Sequence, residues 1–251
     1  MSWSIIIQAR VGSTRLPNKI ILPFAKGKSI LQVIIENLLT AFPSDKIIVA
    51  TTDSELDNRI EQIANYYSVN VFRGDENHVL KRFIDCSEYY GINKIIRLCA
   101  DNPFIIPEYI KLLLEQATED DDYLSFAFPD NTPTIQSHIG LFTEYTKLTT
   151  LRMISEFTHE KHYLEHVTNY LYTNPDKFKI RFLPVPRSIQ SRKDIRLTID
   201  TINDFELLKK LYLKLPNVTS PDFINSLLLL IDSDPEIKQK MQNQIKQNAK
   251  K

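Results

Sequence analysis

The sequence is short of glycine, of cysteine, of net charge and of long apolar runs. Only five glycines occur in 251 residues, Gly12, Gly27, Gly74, Gly91 and Gly140, and each stands at an expected turn or element end. Gly27 and Gly91 read as purely structural, whereas the other three neighbour polar clusters. The two cysteines, Cys86 and Cys99, are too far apart for a CxxC site and lie in apolar surroundings. They read as buried free thiols of a reducing cytosol. Thirty-one basic residues stand against 31 acidic ones, so neither nucleic acid nor an anionic membrane is expected as a bulk partner. No stretch approaches the roughly 20 apolar residues of a membrane span. The start, Met-Ser-Trp-Ser, lacks the basic n-region and cleavage site of a signal peptide, and a cytoplasmic location is expected.

What the chain has is a regular alternation of short apolar runs and helical periodicity. Ile5–Ile7, Lys46–Ala50, Val69–Phe72 and Lys94–Leu98 read as strands, too continuously apolar to be half-exposed. Between them, 30–39, 56–67 and 79–90 carry helical spacing, and Pro107 opens a further helix to about Thr118. From Asp122 the rhythm loosens: strands are expected at 123–128, 139–142, 179–184 and 194–199, and helices within 143–173, at 203–215 and at 221–231. This pattern predicts an α/β fold with a mostly parallel central sheet flanked by helices. With no repeat or linker, residues 1–232 are expected to form one domain, less regular at about 123–192 (an acceptor or dimerisation segment). Residues 233–251 read as a polar C-terminal helix or tail.

In such folds ligands gather beyond the carboxyl ends of the strands. The loop after the first strand, Ala9-Arg10-Val11-Gly12-Ser13-Thr14-Arg15-Leu16-Pro17-Asn18-Lys19, offers exposed amides and three cations, Arg10, Arg15 and Lys19. Amides cradle oxyanions and fixed positive charge neutralises them, so a polyphosphate is the natural guest. It is not a Walker loop, because Pro17 and Asn18 occupy the positions of the required Gly and Lys. Asp101 and Asp200 each end an expected strand. Together they suit a Mg²⁺ site with hard oxygen ligands that bridges phosphates. Arg73 and Arg82 make a second polar patch. Arg73 precedes a glycine at a strand end, a good place for a nucleotide contact, while Arg82 lies on an expected helix, where a solvated charge is the ordinary reading. The run Asp120-Asp121-Asp122 reads as a solvated turn. His159, His162 and His166 have helical spacing but neither HExxH nor thiolates beside them, which argues against zinc.

Taken together, these residues resemble the cytidylyltransferase family that activates 2-keto sugar acids, in particular its spore-coat-polysaccharide branch. The resemblance spans about 4–215 and rests on Ile-Gln-Ala-Arg-Val-Gly-Ser-Thr-Arg-Leu-Pro-Asn-Lys (7–19), Val-Ala-Thr-Thr-Asp (49–53), Val-Phe-Arg-Gly (71–74), Arg-Leu-Cys-Ala-Asp-Asn-Pro (97–103), Glu-His-Val-Thr (165–168) and Arg-Leu-Thr-Ile-Asp-Thr (196–201). It implies a nucleotide-diphosphosugar-transferase-like fold (Rossmann-like, GT-A type), CTP as donor, Mg²⁺ as cofactor and pyrophosphate as product. Ala9 and Arg10 would contact the nucleotide, Arg15 and Lys19 its triphosphate, and Asp101 and Asp200 the metal. Gly12, Ser13, Arg73 and Arg82 complete the expected nucleotide set. Ser137–Phe142 resembles the segment lining the acceptor pocket, which brings in His138 and Gly140; Arg196 would add a cation for an acidic acceptor. Two departures stand out: Asn18 replaces a common loop glycine, and Asn102 replaces a small or acidic residue.

The expected activity is transfer of CMP from CTP to an acidic sugar or related surface-glycan precursor, with Arg15, Lys19, Asp101 and Asp200 as the catalytic set. The alternatives are a glycosyltransferase using a sugar nucleotide and a non-catalytic nucleotide-binding protein of the same fold. The partners are then CTP and a small-molecule acceptor; a homodimer is left open.

Overall fold

The computed structural model describes residues 2–248. In chain order its strands and α-helices are β1 (Trp3–Gln8), β2 (Pro23–Ala25), β3 (Lys28–Ser29), α1 (Ile30–Leu39), β4 (Ile47–Thr52), α2 (Asn58–Tyr66), β5 (Asn70–Gly74), α3 (Val79–Tyr89), β6 (Lys94–Cys99) and α4 (Pro107–Gln116). There follow β7 (Tyr123–Ala127), β8 (Glu144–Lys147), α5 (Leu148–Phe157), α6 (Lys161–Glu165), α7 (Asn169–Thr173), β9 (Ile180–Pro184), α8 (Ile202–Lys214), α9 (Phe223–Asp232) and α10 (Pro235–Gln247). Seven strands form one sheet in the order β5-β4-β1-β6-β8-β7-β9, and β2 and β3 form a separate small hairpin. All neighbouring pairs are parallel except those made by β8, which runs against both β6 and β7. None of the described helices is long and apolar enough to cross a membrane.

The central strands are apolar throughout because both faces are covered. Successive side chains alternate between faces, so Ile5, Ile7, Val49 and Leu98 join one core with α1, α4 and α8. Ile6, Ile48 and Ile95 join the other, with α3, α5 and α7. Local signals fix the helix starts. Ser29 and Gln32 close a capping box on α1, Pro107 occupies the first turn of α4, and Thr201 and Asp204 close a second box on α8.

β1, β4 and β6 end level. Gln8 O accepts the Ala100 amide at 3.1 Å and Ala50 O accepts that of Ala9 at 3.2 Å. The Arg10 loop, Asp53 and Asp101 therefore leave the sheet on one edge.

Three sequence expectations need correction. Residues 139–142 join no ladder, Gly140 standing at φ +58°, and the strand in this region is β8. Residues 194–199 likewise form no strand, being held by backbone bonds from Leu197 to His138 (2.8 Å) and from Ile199 to Asp101 (3.0 Å). Both segments have β-like composition, but their backbone bonds go to loop residues, Leu197 to His138, Ile199 to Asp101 and Ile106 to Leu141, and not to a strand of the sheet. Cys86 is a buried free thiol as expected, whereas Cys99 is only half-buried because β6 ends there at the rim.

Candidate active site

The loop after β1 is shaped by Val11. Its carbonyl accepts the amides of Ser13 (2.7 Å) and Asn18 (3.1 Å), and its own amide donates to Asp57 Oδ1 at 2.9 Å. Val11 and Leu16 are buried and anchor the loop, leaving Gly12, Thr14 and Arg15 exposed. Asn18 sits at φ 61°, ψ 11° in the left-handed region, which asparagine tolerates better than most residues. This explains how it replaces a glycine. Gly12 has ordinary space around it, the first contact of an added Cβ being Glu76 Oε1 at 3.5 Å.

Lys19 lies where the loop meets the two aspartates. Its ammonium donates to Asp101 Oδ2 (3.1 Å) and to the Ile199 carbonyl (2.6 Å), and stands 3.7 Å from Asp200 Oδ1. Arg15 Nη2 donates to that same Asp200 oxygen at 2.7 Å, and its Nη1 to Asn248 Oδ1 at 3.0 Å. The Ile199–Asp101 backbone bond sets the two carboxylates side by side, although only Asp101 follows a strand.

Behind Asp200 is a buried support. Arg196, 1 % exposed, donates through Nε and Nη2 to both Asp204 oxygens (2.7 and 2.9 Å) and through Nη2 to Asp200 Oδ2 (2.8 Å). Its Nη1 is 2.6 Å from His138 Nδ1. Burial, the largest influence on Asp204, pushes its carboxyl up, but Arg196 and the amides of Asp200 and Thr201 together hold it below the usual range. The Arg196 charge is thus already opposed by two carboxylates. Gly140, at φ +58°, could not carry a side chain: a Cβ would lie 3.0 Å from the Leu197 backbone and 3.2 Å from Asn102 Oδ1.

The other expected residues form a second group. Arg10 pairs with Glu165 at 3.2 Å. Arg73 turns away from the loop, bonding Thr52 O, Ser54 O, Asn58 and Glu61. Arg82 corrects its solvated reading: it is 0 % exposed beneath Gly74, with one bond from Nη1 to Asp75 O and with Nε and Nη2 unpartnered. Burial and then the nearby Arg10 charge push its pKa down. Such a site favours an approaching anion. Asp121 is also not merely solvated; it is buried, caps Thr118 and pairs with Arg181.

Sequence reasoning missed Asp57, Asp204 and Asn248. Thr201-x-x-Asp204 is a readable capping pattern; the contacts of Asp57 to Val11 and of Asn248 to Arg15 carry no local signal, because each spans a long sequence separation. Of the expected residues, the structure brings Arg15, Lys19, Asp101 and Asp200 together, whereas Arg10 pairs with Glu165 apart from them.

No group of three or more His, Cys, Asp or Glu side chains able to hold a metal occurs among the described residues. Asp101 and Asp200 nonetheless fit Mg²⁺. That ion is usually held by one or two carboxylates plus substrate phosphates, and both carboxylates already face one shared cation, the Lys19 ammonium.

The sequence pattern of the cytidylyltransferases matches residues 4–242. A protein of Methanocaldococcus jannaschii is 39% identical over 236 residues, 93% of this chain and 91% of that one. The spore coat polysaccharide biosynthesis protein SpsF of Bacillus subtilis is 34% identical over 230 residues, covering 88% and 92%. Among solved structures, a cytidylyltransferase from Leptospira borgpetersenii superposes with TM-score 0.83 at 32% identity, covering 95% and 97%. A CMP:2-keto-3-deoxy-manno-octonic acid synthetase complexed with CTP shares the fold at TM-score 0.62 and 20% identity, covering 84% and 98%.

Proposed function

The chain belongs to the cytidylyltransferase family of nucleotidyltransferase enzymes, and from that premise we propose that it transfers CMP from CTP to an acidic sugar used in surface-polysaccharide synthesis, releasing pyrophosphate. The observation that carries this reading is the Lys19 ammonium held 3.1 Å from Asp101 and 3.7 Å from Asp200, with Arg15 on the outer side of Asp200. Cations for a triphosphate and oxygen ligands for a hard metal meet at the carboxyl edge of a parallel sheet.

In this mechanism an acceptor hydroxyl oxygen attacks the α-phosphorus in line and gives its proton up to water, the bond from the α-phosphorus to the oxygen bridging to the β-phosphate breaks, and pyrophosphate leaves. Lys19 and Arg15 exchange their carboxylate partners for phosphate oxygens and neutralise the charge that develops there. The amides around Gly12 and Ser13 support the phosphates, Ala9 and Arg10 hold the nucleoside side, and Arg82 adds a buried positive charge beneath it. Asp101 and Asp200 would hold Mg²⁺, which when bound would offset phosphate charge and so ease attack on the phosphorus. Arg196, fixed by Asp204, sets the orientation of Asp200 and of His138 on the acceptor side.

The test is pyrophosphate release with each of the four nucleoside triphosphates and a panel of acidic sugars. Release with CTP and an acidic sugar, dependent on Mg²⁺, is expected. Release with another triphosphate alone, or sugar transfer from a sugar nucleotide without pyrophosphate, overturns the reading.

A further inference from the structure

A small cavity lies between Asn102, Ser125, residues within 134–144 and Thr198. It has room for about one water-sized group, roughly 20 Å³. Three of its lining residues carry a buried side-chain oxygen with no hydrogen-bond partner, Asn102 Oδ1, Thr143 Oγ1 and Thr198 Oγ1. Unpaired buried polar groups are rare, and each is costly to leave unmade. Three around one cavity indicate that their partner is a guest. The lining residues include no lysine, arginine or histidine. The one charged wall residue, Glu144, already has its carboxylate engaged by Arg97, Tyr123 and Thr168. An anionic group would therefore meet no counter-charge and a nearby carboxylate.

We propose that this cavity is a hydroxyl-reading subsite, which holds one neutral hydroxyl of the sugar acceptor on Asn102, Thr143 and Thr198. A hydroxyl matches the set because it donates one hydrogen bond and accepts two. It would donate to Asn102 Oδ1 and accept from the two threonine hydroxyls. Asn102 follows Asp101 and Thr198 precedes Asp200 by two residues, so the cavity is walled by the same two segments that carry the aspartates. The close approach of Gly140 to Asn102 keeps the wall tight. The assignment rests on the proposed nucleotidyl transfer for its choice of a sugar, and explains why an asparagine stands at 102. A site built to bond a hydroxyl rejects the analogue lacking it strongly, because the site's own polar groups are then left unpaired.

Two measurements on the full chain test it. In the first, pyrophosphate release is compared for acidic sugars and for their analogues with a single hydroxyl replaced by hydrogen. This is done in the wild type, in Thr143→Val/Thr198→Val, and in Thr143→Ser as the variant that keeps the hydroxyl. The wild type and Thr143→Ser should disfavour one deoxy analogue by about 100-fold in kcat/KM, and the double valine variant by less than about threefold with KM for CTP unchanged. Unchanged discrimination in the double variant overturns the proposal. In the second, crystals are soaked with glycerol or with acetate. A glycerol hydroxyl bonded to Asn102 and a threonine, with no acetate there, is expected; water alone in both soaks, or bound acetate, overturns it. If no sugar supports pyrophosphate release in the wild type, the proposed function fails, and the glycerol and acetate soaks still decide the subsite.

Discussion

Asp57 accepts the Val11 amide at 2.9 Å across 46 residues of sequence, and so ties the start of α2 to the loop that follows β1. The same carboxylate accepts the Thr51 hydroxyl (3.0 Å), the Thr52 amide (3.1 Å) and the Thr52 hydroxyl. Asp57→Ala leaves these donors buried and unpaired. We expect a loss of about 2–4 kcal/mol in urea denaturation, together with weaker CTP binding. Unchanged stability would show that the carboxylate does not organise the loop.

Lys19→Ala and Arg15→Ala each remove a charge-assisted phosphate contact. CTP affinity measured by calorimetry should fall by about 1.5–3 kcal/mol, an order of magnitude or more, while acceptor binding changes less. Equal affinity in both variants and the wild type would remove these residues from the triphosphate site.

Asp101→Asn and Asp200→Asn should abolish turnover with the fold retained by circular dichroism, since each removes an anionic ligand from a hard-cation site. Chelation of Mg²⁺ in the wild type should reproduce that loss reversibly. Near-normal turnover in either variant at saturating Mg²⁺ would exclude the pair.

The Asp204 carboxyl, held below its usual range chiefly by Arg196 against the upward push of burial, links stability to pH. Its folded value is depressed, so the stabilisation is fully present above the unfolded value of about 3.9 and is lost as pH falls through the lower folded value. Asp204→Asn leaves Arg196 with only Asp200. We expect it to destabilise the protein at pH 7 by about 3–5 kcal/mol and to flatten the acid limb of a Tm-versus-pH curve. An unchanged acid limb would show that the pair does not couple to folding.

Asn248 accepts from Arg15 at 3.0 Å, and Gln244, one turn earlier on α10, accepts from Thr201 at 3.2 Å. The end of α10 thereby contacts both walls of the proposed triphosphate site. Because Arg15 is 54 % exposed in its side chain, Asn248→Ala should change Tm little. The KM for CTP should shift by a few-fold, and a KM identical to wild type would limit α10 to packing.

Much of the fold was legible because its signals are local. Ile5–Ile7, Lys46–Ala50 and Lys94–Leu98 announce buried strands by composition, and Pro107 marks a helix start within one turn. The cationic loop was legible for the same reason: three cations follow one strand within ten residues. The expected strands at 139–142 and 194–199 failed on a non-local question. β propensity states that a segment suits an extended backbone, but the availability of a partner edge decides whether a ladder forms.

By itself, the order of residues determined the parallel α/β core, the cationic loop and the two aspartates as candidates, since each depends on periodicity or on neighbours in the chain. Only the tertiary structure decided which charges meet. Lys19 joins Asp101 and Asp200 because the Ile199–Asp101 backbone bond brings two distant segments together. Arg196 becomes a support, not a free cation, because α8 delivers Asp204 against it. Arg82 lies beneath Gly74 instead of on a solvated face because α3 packs that side against β5. Ion pairing and burial depend on distances through space, and local sequence pattern does not encode those distances.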